Sequence, residues 1–139
     1  MARTAFENRT VKGSAGWQQD PIQAAMLGLA DEAAAMLLRR FAAKNAGSRF
    51  PAFWGPNFDW VPDQDHGANN MMGLQAMLLQ SAGRKILLLP ALPKGWDADF
   101  KLHAPYRTTV ECVWRGGKVQ KLVVTPKERA GDVVLMAPK

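Results

Sequence analysis

The chain holds one cysteine, Cys112. An intrachain disulfide is therefore excluded, and the fold has to rest on packing. Apolar residues nowhere run to the roughly 20 needed to cross a bilayer as a helix. Residues 1–15 carry no apolar stretch of the kind a secretory signal uses. Most conspicuous is a missing charge. From Phe50 to Gly83 there is neither Lys nor Arg, although the net charge is +6. Seven Lys/Arg fall in residues 1–49 and eleven in residues 84–139, so the basic charge is spread over both flanks. Such scatter reads as solvated surface and gives no concentrated footprint for nucleic acid. A hydrophobic fraction of 47% with 22% charged residues excludes a disordered chain.

The first half has helical period. Residues 1–15 show none and read as a loop. Asp20-Pro21 reads as a helix start, Asp as N-cap and Pro at the first helical position. Ile22, Ala25, Met26 and Leu29 follow on one helical face. Gly28 ends or bends that helix. Asp31 is a second N-cap candidate, and a helix carrying Met36, Leu37, Arg40 and Phe41 runs to about Ala43. A third helix is predicted from about Asn69 to Ser81, with Met71, Met72 and Met77 in its core face and Gly83 as its stop. An antiparallel helical hairpin plus one further helix leaves apolar faces needing neighbours, as one sector of a larger helical array would.

After Arg84 the period falls to two. Lys85–Leu89 is strand-like. Val110, Cys112 and Trp114 share one strand face, Gly116-Gly117 forms a two-residue hairpin loop, Val119–Thr125 returns, and a last strand lies in Gly131–Met136. Trp96 and Trp114 read as interface or core residues. The expected architecture is therefore α then β, divided as residues 1–83 and residues 84–139.

The segment with chemical content is Phe50–Asn70. It holds five large aromatics, three Asp, one Gln, one His, three Asn and three Pro. Proline stiffens such a loop. Pyranose rings offer apolar faces for aromatics and a rim of hydroxyls for Asp and Asn, which suits a sugar site with no cation in it. Trp54 and Trp60 are candidate stacking platforms, or packing residues. Asp63, His66 and Asn69 are candidate substrate contacts, with turn formation, loop hydrogen bonding and helix capping as their plainer roles. Asp63, Asp65 and His66 match no strong metal-ligand spacing, so no metal site is expected. Glycoside hydrolysis generally uses two carboxyl groups flanking the scissile bond, and a loop free of Lys and Arg leaves its carboxylates without cation partners.

Three stretches carry a family resemblance: Asp65-His66-Gly67-Ala68-Asn69, then Gly73–Ser81 with its Met-Leu-Leu-Gln-Ser run, then Ile86-Leu87-Leu88-Leu89-Pro90-Ala91-Leu92-Pro93-Lys94-Gly95-Trp96. Together they resemble the C-terminal portion of the α-L-fucosidase-like glycoside hydrolases of family 95. The resemblance implies the end of an (α/α)6 six-hairpin barrel followed by a small antiparallel β-sandwich-like domain. It implies that the chain is part of a longer enzyme, bacterial and exported, that cleaves glycosidic bonds in oligo- or polysaccharides with inversion and without a cofactor. Asp65 falls on the family motif's Asp and would be the base or base partner. The family's next Gly is His66 here, and its Asn and Phe become Gly67 and Ala68. The general acid would lie upstream of this chain, so this chain alone is expected to be inactive. The expected partners are a carbohydrate substrate and the N-terminal part of the parent, with no nucleic acid and no membrane. The alternative reading is a non-catalytic carbohydrate-binding module using the same aromatics.

Overall fold

A computed structural model describes residues 1–13, 18–42 and 64–136, with backbone alone for residues 64–66. Helices come first: α1 (Ala2–Glu7), α2 (Asp20–Met26), α3 (Ala30–Ala42) and α4 (Gln64–Leu78). Strands follow: β1 (Leu79–Ala82), β2 (Lys85–Leu88), β3 (Ala98–Ala104), β4 (Thr108–Arg115), β5 (Lys118–Thr125) and β6 (Val133–Leu135), with a 3-10 turn at Lys127–Asp132 before the last. The chain is thus α then β.

Helix α1 falls where a loop is expected. Six residues do not hold a helix by themselves. Tertiary contacts hold this one: Phe6 is buried against the α2–α3 core, and the Arg3 guanidinium donates to the Leu27 carbonyl at 2.9 and 3.1 Å. Helices α2 and α3 form the expected hairpin. Its turn is at Gly28, whose φ of +69° is one that glycine adopts without steric cost. The start of α2 differs in one respect. Gln19 takes the N-cap place without a side-chain cap bond, and Asp20 lies inside the first turn.

Helix α4 begins five residues before the expected start and ends before Leu79. Its orphan C-terminal carbonyls explain the stop. The Gln80 amide donates to Ala76 O at 2.8 Å and also to Ala25 O at 2.8 Å, tying α4 to α2. Met77 O accepts from Ala91 N at 3.2 Å, and Leu78 O from Leu89 N at 2.8 Å. With those groups satisfied, Leu79–Ala82 leaves helical geometry and pairs antiparallel with β2, Leu79 opposite Leu88 and Ala82 opposite Lys85. Gly83 therefore serves the β1–β2 turn, with φ +60°, and is not a helix stop. Gly73 lets α4 approach α3 closely: a Cβ there would lie 3.1 Å from Leu37 Cδ2.

The strands make two three-stranded sheets, β1-β2-β6 and β3-β4-β5. Pairing is antiparallel except for β2–β6, which is parallel. Ile86 and Leu88 from the first sheet share one buried cluster with Val110, Cys112 and Trp114 from the second. Trp96 packs against both this cluster and the helical one. The Gly116-Gly117 turn is as expected, with φ +55° and +76°. Strand β3 has no counterpart in the predicted elements. Its outward face continues onto β4 and β5, where Glu111 lies 2.8 Å from Lys101 and 3.4 Å from Lys121.

These lysines hold the Glu111 carboxylate below its ordinary range, the Lys101 hydrogen bond foremost. A depressed carboxylate contributes stability above its unfolded pKa and loses it as pH falls through the folded one. The contribution thus fades only in acid, below about pH 4. Lys101→Gln is expected to raise the Glu111 midpoint in a carbon-detected NMR titration. An unmoved midpoint would show that the 2.8 Å contact is not maintained in solution.

Candidate functional site at the polar end of the helices

The described helices have two unlike ends. At one, the α2–α3 turn meets the strand region: Pro90 O would lie 3.4 Å from a Cβ on Gly28. At the other are the start of α2, the end of α3 and the N-terminal half of α4. Three polar residues are buried there, Asp20, Arg40 and Asn70.

Asp20 is 9% exposed. One carboxylate oxygen, Oδ1, accepts from Arg9 Nε at 2.7 Å and from Gly13 N at 3.4 Å, with Arg9 Nη2 also 2.7 Å away. The Arg9 guanidinium also lies 3.6 Å from the Phe6 ring centroid. Arg40, 8% exposed, donates to Asn70 Oδ1 at 3.3 Å and to the Gln18 carbonyl. Burial pulls the Arg40 guanidinium below its ordinary value, and the nearby Asp20 carboxylate opposes that shift. Asn70 is 2% exposed. These residues fix the end of α3 to the second turn of α4 and to the segment before α2. Arg40 is buried on the same helix as Met36 and Leu37, where an unpaired cation would be costly.

Asp20→Asn is expected to destabilise the chain by about 1–3 kcal/mol, because it strips the counter-charge from partly buried Arg9 and from Arg40 nearby. The urea midpoint measures this. A midpoint within error of the parent's would mean that the Arg9–Asp20 pair carries no net stability.

The residues expected to act fall as follows. Asp65 and His66 lie in the first turn of α4, which begins ahead of the expected Asn69. Asn69 lies in the second turn and is half-buried, next to Asn70. Trp54, Trp60 and Asp63 lie outside the described residues. Of the three methionines expected in the core, Met77 is fully buried, while Met71 and Met72 are 50% and 54% exposed. Cys112 is buried as expected, and its thiol is pushed up by burial and then by the Asp99 charge. His103 lies on β3, its Nδ1 3.4 Å from Thr109 Oγ1.

Past its first turn, α4 is anchored by Asn70, Gly73 and Met77, so the backbone at Asp65 extends from a fixed helix. Neither a protein-family model nor a curated protein matches the chain.

Proposed function

We propose that this chain is the closing part of a six-hairpin glycoside hydrolase, in which Asp65 acts as base or base partner for water attack on a glycosidic carbon. The observation that supports it is the position of Asp65 in the first turn of α4, at the end away from the β strands. The other end of that helix is capped by the segment leading to the β strands. In an α/α array the substrate lies at one end, among the connections between helices. Here the connection before α4 includes the Trp-rich stretch from Phe50 onward, which has no Lys or Arg. Trp54 and Trp60 would stack on sugar faces, and Asp63, His66 and Asn69 would bond hydroxyls.

Exposed apolar side chains on the described helices fit the same reading. Met26, Leu38, Met71 and Met72 are each at least half exposed. Neighbouring hairpins of a barrel would cover them. The general acid belongs to those hairpins. The mechanism is then proton removal from water by Asp65, attack on the anomeric carbon, and protonation of the leaving oxygen by the absent acid, giving inversion.

The test is release of reducing sugar from a panel of plant and algal glycans. The chain alone should release none, and the enzyme with its remaining hairpins should release sugar in a reaction that Asp65→Asn abolishes. Glycan binding by the isolated chain that survives Asp65→Ala, with no turnover in the longer protein, would instead establish a binding module.

A further inference from the structure

The strand region holds a cluster that the proposed reaction does not use. Between β3 and β4 the chain turns through Tyr106 and Arg107, both with left-handed backbone, φ +63° and +53°. Residues with a Cβ adopt this region at a cost. The turn presents an aromatic ring at the surface: Tyr106 is 56% exposed. Two guanidinium groups approach that ring, Arg129 at 5.1 Å and Arg84 at 5.4 Å from its centroid. Both distances are within cation–π range.

The two arginines differ in freedom. Arg129 is 5% exposed. Its Nε donates to Thr108 Oγ1 at 3.1 Å, and its Nη1 pairs with Asp132. Arg84 reaches the same Asp132 carboxylate at 3.5 Å, with its side chain 66% exposed. One carboxylate thus serves two guanidinium groups, which leaves an excess positive charge beside the ring. Arg107, the next residue in the turn, is exposed.

We propose that Tyr106, Arg84, Arg107 and Arg129 form a binding site for an oxyanion carried on a sugar ring, a carboxylate or a sulfate. Arginine forks bind both groups through paired, charge-assisted hydrogen bonds. Buried Arg129 holds the ring and the Asp132 carboxylate in place. Arg84, with its side chain 66% exposed, can leave Asp132 for the incoming anion, and Arg107 follows Tyr106 in the same exposed turn. Tyr106, 56% exposed, is accessible to the sugar. The choice of a sugar as carrier rests on the glycosidase reading; the oxyanion does not.

The test is a titration of the full chain, followed by backbone amide NMR, with oligogalacturonate, a sulfated galactan oligosaccharide, a neutral galactan oligosaccharide and a single-stranded oligothymidylate. The acidic oligosaccharides should shift the amides of Arg84, Tyr106, Arg107, Thr108 and Arg129, and the neutral one should not. Which acidic probe binds more tightly separates carboxylate from sulfate. Tyr106→Asn keeps a residue that tolerates the left-handed turn, and Arg107→Gln changes an exposed side chain, so both should fold. Each should weaken binding by about tenfold, and added salt should weaken it further. Equal binding of acidic and neutral sugars, shifts confined to other residues, or unchanged affinity in both variants would overturn the site. Tighter binding of oligothymidylate to the same amides would overturn the sugar as carrier. Asp65→Asn should leave this binding intact, so loss of the catalytic reading and loss of this site give different results.

Discussion

Leu37→Ala is expected to destabilise the chain by about 2–5 kcal/mol. Leu37 is 2% exposed in α3 and belongs to the helical core with Ala24, Ala25, Ala33, Ala34 and Met77. That core is rich in alanine, so few long side chains fill it. Its two Cδ atoms would lie 3.1 and 3.7 Å from a Cβ on Gly73, so truncation opens a void where α3 meets α4. Neighbouring alanines cannot swing in to fill it. The expected result is a large fall in the urea midpoint with an unchanged slope. Gly73→Ala should be costly in the parent and far less so in Leu37→Ala, because the added methyl then enters the vacated space. A double-mutant cycle reads that coupling directly. Additive effects would mean that α3 and α4 do not pack at this point.

Asp65→Asn in the complete enzyme is expected to lower kcat by about 10²- to 10⁴-fold, the usual effect of losing a positioned general base. Asparagine preserves size and hydrogen-bonding capacity but cannot take up a proton. KM should change little. The acid limb of the kcat/KM profile should vanish, because that limb reports protonation of the base. A residue that serves only the fold would lower stability and leave the limb in place. Thermal melting of the variant, measured alongside, separates the two: the account expects unchanged melting with lost turnover.

Much of the fold was legible because it obeys local rules. Pro21 and Gly28 bracket α2, and the β4–β5 hairpin follows from alternation around Gly116-Gly117. All but one of the misses share a cause, since each depends on a contact distant in sequence. Helix α1 exists because Phe6 and Arg3 find partners on α2 and just beyond it. The Met-Leu-Leu-Gln run reads as continuous helix, yet Gln80, Leu89 and Ala91 satisfy the helix end, and β2 takes the following residues as a partner. Parallel pairing of β2 with β6 joins segments separated by the whole β3–β5 sheet, which no local pattern announces. Strand β3 is the exception: Ala98, Phe100, Leu102 and Ala104 alternate with Asp99, Lys101 and His103, and that alternation was available to be read.

The candidate site divides similarly. The aromatic and carboxylate content of Phe50–Asn70 is plain in the sequence, and Asp65 was identified by resemblance. That Asp65 belongs to a helix, and that Arg40, Asn70, Asp20 and Arg9 order the same end of the array, was not legible. Asp20 before Pro21 looks like a cap, yet its carboxylate is taken by Arg9 instead. Arg40 looks like one more polar residue on a helix until its burial is known.

The central claim is that Asp65 works within a larger helical barrel that brings the acid. Reading the coding DNA in frame upstream of the Met1 codon tests it most directly. The account predicts an uninterrupted frame encoding further helical hairpins, with a Glu or Asp placed to protonate the leaving group. An in-frame stop codon just upstream would contradict it.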